Sequence, residues 1–207
     1  MKDKVVVITG ASSGIGRATA IHFARQQSKL VIAARTEDKL KEVANEIVKI
    51  TPNVLCLTLD VSKEEDCKKL IDKGIEKFGK IDVLINNAGI SMRAMFDDID
   101  LEVFKQVMDI NYWGSIFTTK SALSSIMETK GTIVGISSIA GYKGLPGRVA
   151  YSSSKFALQG FLESLRIELL NTGVNVMWVS PGFTASNIRN TALAADGSAQ
   201  GGASHRP

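Results

Sequence analysis

Val5-Val6-Val7-Ile8-Thr9-Gly10-Ala11-Ser12-Ser13-Gly14-Ile15-Gly16 is the stretch on which the fold turns. Four β-branched residues in succession suit a strand buried on both faces, and the glycines behind them let the chain turn sharply into a helix. The first N–H groups of that helix lack intrahelical acceptors and sit at the positive end of its dipole. The turn is therefore an anion cradle that needs no charged side chain. Gly10 and Gly14 permit a positive φ, and Gly14 and Gly16 omit the Cβ atoms that would block a pyrophosphate. The spacing is Gly-x-x-x-Gly-x-Gly, which differs from the Gly-x-Gly-x-x-Gly of the usual dinucleotide fingerprint. Taken alone, a glycine-rich strand-to-helix turn without a ligand reads the same way.

Outward from this turn, strands and helices alternate. Ala20, Phe23 and Ala24 give the first helix an apolar stripe, and residues 30–34 form a second buried strand with Arg35 at its end. Residues 37–50 place Leu40, Val43, Ile47 and Ile50 at helical spacing until Thr51-Pro52-Asn53 stops them, and residues 54–59 are the third strand. Residues 62–78 are an amphipathic helix, with Ser62 and Glu65 spaced as a capping box. Residues 81–85 are the fourth strand, ending in Asn86-Asn87-Ala88-Gly89, and residues 101–127 are mostly helix, broken or bent near 111–114. Residues 132–136 are strand five, 151–170 a long helix closed by Gly173, and 174–179 strand six. Parallel strands joined by helical crossovers satisfy this pattern, so the expected fold is α/β, a Rossmann-like doubly wound parallel sheet with helices on both faces. Ligands in such sheets bind beyond the carboxyl ends of the strands, where the strand order reverses. Residues 1–190 form one dinucleotide-binding and catalytic domain, and 191–207 an Ala/Gly/Ser-rich tail expected to be poorly ordered.

The 207 residues are 44% apolar, enough for a sizeable core. The net charge of +4 is spread along the chain, with no basic run longer than Lys68-Lys69, which argues against a nucleic-acid partner. No apolar stretch approaches the roughly 20 residues of a membrane span, and the N-terminus leads straight into a strand, so a soluble, cytoplasmic protein is expected. Cys56 and Cys67 lack metal-ligand spacing and read as reduced, packed thiols, with no metal site expected.

The candidate chemistry lies at the end of strand five, on the helix of residues 151–170 and at the interruption near Asn111. Tyr151 and Lys155 are four residues apart, hence on one face of one helix. A cation beside a phenol favours phenolate, which makes Tyr151 a candidate general acid or base. Such pairs also occur by chance on many helices. Ser137-Ser138 ends strand five, where a hydroxyl facing the crevice would donate to a substrate oxygen, although serines there also serve as plain turn residues. Asn111 interrupts a helix, which a bend or a cap would equally explain.

With cradle, strand-four motif, serine and Tyr/Lys pair in one order, residues 1 to about 190 resemble the single-domain short-chain dehydrogenase/reductases. The resemblance rests on Thr9 to Gly16, Asp60, Asn86-Asn87-Ala88-Gly89, Asn111, Ser138, Tyr151 with Lys155, and Pro181-Gly182 followed by Thr184. It implies that Tyr151 exchanges a proton with the substrate oxygen while hydride moves between nicotinamide and the carbonyl carbon. Lys155 would hold the nicotinamide ribose, Ser138 the carbonyl oxygen, and Asn111 a water linking Lys155 to solvent. Gly10, Ser12, Ser13, Gly14, Ile15 and Gly16 would bind the pyrophosphate. Asp60 and Val61 would meet the adenine, Asn87, Ala88 and Gly89 the adenosine ribose, and Pro181, Gly182 and Thr184 the nicotinamide end.

Strand two ends in Ala34-Arg35-Thr36 and not in the carboxylate that would bind a ribose 2′-hydroxyl. An arginine fork suits a 2′-phosphate, so NADP(H) is expected over NAD(H), with Arg17 a possible helper. Met92, Met95, Phe96, Ile139, Tyr142, Leu145, Pro146 and Phe183 flank the crevice in sequence and suggest a mainly apolar carbonyl or alcohol substrate. The resemblance also implies a homodimer or homotetramer packed through 101–127 and 151–170.

Two departures stand out. Ser28 occupies the position after the first helix where the family commonly has glycine, and nothing after Thr191 has the pattern of the family's seventh strand, which is expected to be missing. A catalytically weak or inactive dinucleotide-binding module, or a truncated remnant, is thus the competing reading. Retention of Asn111, Ser138, Tyr151 and Lys155 favours the enzyme.

Overall fold

Strand β1 (Val5–Thr9) sits inside the sheet because all five of its residues are buried. In the computed structural model, which describes residues 1–182, 184, 188 and 190–200, β1 turns through the glycines into α1 (Gly14–Arg25). The chain continues as β2 (Lys29–Ala34), α2 (Glu37–Val48), β3 (Val54–Thr58), α3 (Glu64–Phe78) and β4 (Val83–Asn86). Then follow α4 (Leu101–Met108), a π-helical turn (Asp109–Trp113), α5 (Gly114–Thr129), β5 (Thr132–Ile136), a 3-10 turn (Ile139–Gly141), α6 (Val149–Glu168) and β6 (Asn175–Val179). The sheet order is β3-β2-β1-β4-β5-β6, and every neighbouring pair is parallel. The order reverses between β1 and β4, so the glycine turn and the Asn86-Asn87-Ala88-Gly89 segment flank the switch point.

Alternation along β1 divides the core in two. Val5 and Val7 join Val31, Leu84 and Ile133 under α3, α5 and α6, whereas Val6 and Ile8 join Leu30, Ile32 and Ile85 under α1 and α2. Each fully buried aliphatic side chain contributes about 1.5–3 kcal/mol, so the layering follows from the apolar runs themselves. At the β5–β6 end of the second face, Met177 and Val179 stand exposed, and among the described residues no helix covers them.

Several local expectations are corrected. The Ser62–Glu65 capping box does not form: Asp60 Oδ1 accepts both the Ser62 N–H (3.0 Å) and its hydroxyl (2.9 Å), and α3 begins only at Glu64. Strand four starts two residues late because Asp82 is used elsewhere, its carboxylate accepting the Val5 N–H (2.9 Å) and pairing with Lys4 (2.7 Å). The helix interruption is a π-helical turn with Asn111 at its centre, so the helix is locally widened and not broken. After α1 it is Gln27, at φ 58°, that takes the left-handed conformation, which leaves Ser28 buried with its hydroxyl donating to the Met1 carbonyl (2.9 Å).

The segment 191–200, expected to be a loose tail, is laid against the body. Leu193 donates to the Ser91 carbonyl (2.9 Å) and accepts from Arg93 (2.8 Å), Ala195 accepts from Asp100 (2.9 Å), and Ala192 is buried. Backbone pairing needs no apolar periodicity, which is why composition missed it. Residues 201–207 lie outside the described residues. Among those described, no helix is long and apolar enough to cross a membrane.

Candidate active site

Because β1, β4 and β5 are parallel neighbours, the segments leaving their carboxyl ends converge on one side of the sheet. They enclose a cleft of about 720 Å³, within the range typical of cofactor sites. Of the residues expected to bind cofactor or act in catalysis, all but Gly16, Asp60 and Asn111 line it.

At one end lies the glycine cradle. Gly10 and Gly14 have φ of 65° and 53°. The Ser13 side chain makes no cap to α1, and the first turn of α1 holds no acidic residue, so its leading N–H groups are left for an anion. Gly16 has a different use from the one expected. A Cβ there would lie 2.3 Å from the Gly10 carbonyl oxygen and 2.4 Å from Asn87 Nδ2, so this glycine permits close packing of helix on turn and does not clear space in the cleft.

Thr9 and Asn87 lash the two switch-point strands together. Thr9 Oγ1 accepts the N–H groups of Asn87 (3.1 Å) and Ala88 (3.0 Å), while Asn87 Nδ2 donates to the carbonyls of Thr9 (2.9 Å) and Gly10 (3.0 Å). Asp60 sits to one side, in a recess of about 140 Å³ that shares Arg35 with the main cleft, and Val61 reaches the cleft itself. Arg17 is turned away and pairs through Nη2 with both carboxylate oxygens of Glu46 (2.6 and 2.7 Å). Sequence reading missed Lys39, which lines the cleft beside Arg35.

At the other end, α6 presents Tyr151 and Lys155 together. Lys155 is 4% exposed, and its Nζ donates to the Ile136 carbonyl at the end of β5 (2.8 Å) and lies 5.8 Å from the centroid of the Tyr151 ring. Desolvation pushes the Lys155 ammonium down to about 8, from an ordinary value of 10.5. Between those values the unfolded chain holds a proton that the folded protein has lost. The cost of burying this charge is therefore full below about pH 8 and is relieved as pH rises toward 10.5. Lys155→Met should accordingly gain most in stability, relative to wild type, near pH 7, with the gain shrinking above pH 8. Denaturant titrations across that range check it, and a gain independent of pH would contradict it.

The two serines are separated by their partners. Ser137 is buried and its hydroxyl accepts from Gln159 Nε2 (2.8 Å), whereas Ser138 Oγ is held at the cleft wall by the Ala140 N–H (3.2 Å). Asn111 is fully buried in the π turn. Its Oδ1 accepts the Ile90 N–H (2.8 Å), and its Nδ2 donates to the Ile90 carbonyl (2.9 Å) and to Ser154 Oγ (3.0 Å). It thus clamps the chain leaving β4 beside Lys155, with Gly89 fitted between them: a Cβ on Gly89 would lie 3.2 Å from Asn111 Oδ1 and 3.5 Å from Lys155 Nζ.

The apolar residues expected at the crevice divide. Ile139, Leu145 and Pro146 line it; Met92 is buried in a core cluster with Val103 and Ala150; and Met95, Phe96 and Tyr142 are exposed outside it. Phe183 lies outside the described residues. Leu193, missed in the sequence, lines the cleft and packs in the same cluster as Tyr151.

A family model described as short chain dehydrogenase matches residues 4–196. The chain belongs to the short-chain dehydrogenase/reductase family. Among curated relatives of this family, the 11-beta-hydroxysteroid dehydrogenase 1A of Arabidopsis thaliana is 42% identical over 187 residues, which are 89% of this chain and 53% of that protein. The 11-beta-hydroxysteroid dehydrogenase A of Sesamum indicum is 40% identical over 187 residues, again 89% and 53%. The chain thus spans about half the length of these relatives. Solved structures of the family superpose closely. An alcohol dehydrogenase from the archaeon Thermococcus sibiricus, complexed with 5-hydroxy-NADP, has a TM-score of 0.86 at 30% identity over 94% of this chain and 86% of that one. A short-chain dehydrogenase/reductase from Burkholderia phymatum in complex with NAD has a TM-score of 0.88 at 29% identity over 91% and 68%.

Proposed function

We propose that this short-chain dehydrogenase/reductase moves a hydride between NADP(H) and the carbonyl or alcohol carbon of a small, mainly apolar molecule, with Tyr151 as general acid and base. The observation that carries this reading is that Tyr151, Lys155 and Ser138 line the same cleft as an uncapped glycine cradle. The cradle of Gly10, Ser12, Ser13, Gly14 and Ile15 would hold the pyrophosphate, Asn87, Ala88 and Gly89 the adenosine ribose, and Pro181, Gly182 and Thr184 the nicotinamide end. The nicotinamide supplies or accepts the hydride. The protein's part is positional and electrostatic. In the reducing direction the Tyr151 hydroxyl gives its proton to the substrate oxygen, and the Ser138 hydroxyl donates to the same oxygen as charge develops there. Lys155, anchored on Ile136, has two further ammonium hydrogens for the ribose hydroxyls. Ile139, Leu145, Pro146 and Leu193 provide an apolar wall for the substrate body. The names of the plant relatives support an alcohol or ketone on an apolar skeleton. NADPH oxidation measured against a panel of ketones and aldehydes tests the reading, and no turnover across the panel would count against it.

The preference for NADP(H) rests on Arg35, with Lys39 beside it and no carboxylate at the end of β2. Arg35→Asp should shift the ratio of NADPH to NADH affinity about 10- to 100-fold toward NADH, the worth of one charged hydrogen-bonding contact. Calorimetric titration of both cofactors reads the ratio, and an unchanged one would remove the assignment.

We further propose a homodimer through the outer faces of α4, α5 and α6. These helices expose Leu101, Met127, Phe156 and Ile167, with Trp113 of the π turn and Leu170 just beyond α6 exposed beside them. Sedimentation at micromolar concentration should give twice the chain mass, and a monomer would contradict the proposal.

A further inference from the structure

We infer that Gln159 is a positioning residue for the Ser138 hydroxyl: from α6 it ties down Ser137 and the 3-10 turn that follows, and so fixes the donor that meets the substrate oxygen. Tyr151, Lys155 and Gln159 succeed one another at intervals of four, hence in one line along α6. Lys155 Nζ donates to the Ile136 carbonyl (2.8 Å), and Gln159 Nε2, one turn further on, donates to Ser137 Oγ (2.8 Å). The helix is thereby fastened to two consecutive residues where β5 ends, and the next residue is Ser138.

Gln159 is buried, in a place where an apolar side chain would pack without the cost of desolvating an amide. The turn is shaped around that amide. Gly141, which closes the 3-10 turn, has no Cβ, and one built there would overlap Gln159 Nε2 and lie 2.7 Å from Ser137 Oγ. The consequence falls on Ser138. Its Oγ accepts the Ala140 N–H (3.2 Å) and its carbonyl accepts the Gly141 N–H (2.9 Å), so hydroxyl and turn move together. The hydrogen of that hydroxyl remains to donate into the cleft. On its other flank Ser137 donates its N–H to the Val179 carbonyl (2.8 Å). Without the amide the turn loses this tie to the helix that carries Tyr151, and the spacing of the two groups that must meet one oxygen is no longer set. An error of about 1 Å in such a placement costs about 100-fold in rate.

The role rests on the oxidoreductase reading, and the experiment separates the two. Gln159→Met keeps the length of the side chain without its amide, and Ser137→Ala removes the other partner while leaving the helix intact. Each is made in wild type and in Ser138→Ala, and single-turnover NADPH oxidation with protein in excess is followed on any ketone that wild type reduces. Both substitutions should slow reduction about tenfold or more in the wild-type background, with NADPH affinity unchanged, and should have little further effect once the Ser138 hydroxyl is gone. A glutamine that served only the fold would slow both backgrounds by the same factor. Ser137→Ala carries the test alone if Gln159→Met does not fold. Rates unchanged by Ser137→Ala, or equal losses in the two backgrounds, would overturn the role and leave the oxidoreductase reading standing. No turnover by wild type would sink that reading and this role with it.

Discussion

Tyr151→Phe should slow carbonyl reduction at least about 100-fold while leaving cofactor affinity unchanged. The substitution removes one oxygen and keeps the ring that packs against the cluster of Met92, Val103 and Ala150, so the fold has no reason to move. The reduced product needs a proton on its oxygen as hydride reaches its carbon. Among the cleft residues Tyr151 is the hydroxyl paired with a buried ammonium, Lys155 Nζ lying 5.8 Å from its ring centroid. Loss of a positioned general acid costs about 10²- to 10⁴-fold in rate. The fall should appear in kcat and kcat/KM alike, the signature of an interaction used in the transition state. Steady-state kinetics of the two proteins on any ketone that wild type reduces makes the comparison, and equal rates would sink the role given to the phenol.

Asn111→Leu should destabilise the fold by about 3 kcal/mol, since it strips both the N–H and the carbonyl of Ile90 of their partner inside the protein. For a domain of this size that is a fall in Tm of about 6–12 °C. Activity should fall as well, because the chain from Gly89 to Ser91 forms the wall beside Lys155. Ser154→Ala, which removes only the third contact of Asn111, should cost far less. Thermal melts of the three proteins decide between two uses of this residue. An asparagine that did no more than hold a water for Lys155 would leave Tm unchanged on substitution.

The fold was legible because strands buried on both faces must be apolar throughout. Val5–Thr9 and Lys29–Ala34 announce themselves, and the helices between them carry apolar residues at intervals of three and four. Boundaries were less legible where a side chain outbid the expected pattern, as Asp60 did by taking both hydrogens that Ser62 offered. The candidate site divides in the same way. Residues whose meaning lies in backbone freedom or in pairing along one helix, such as Gly10, Gly14, Tyr151 and Lys155, could be read from spacing.

Residues whose meaning lies in contacts across the chain could not. Asn111 meets Ile90 only because the π turn and the end of β4 are folded together, and Gly16 proved to face Gly10 and Asn87. Met92, Met95 and Phe96 misled because an apolar side chain near a crevice serves the core or the surface as readily as a ligand.

The central claim is that one cleft both grips the nicotinamide cofactor and passes its hydride to a carbon whose oxygen Tyr151 protonates. Incubating the protein with a ketone and NADPH deuterated at the transferable position, then weighing the alcohol formed, tests it most directly. The account predicts one deuterium on the carbinol carbon with wild type and about 100-fold less labelled alcohol, or lower still, in the same time with Tyr151→Phe. Tight NADPH binding with no labelled alcohol from wild type would contradict it and leave a binding module.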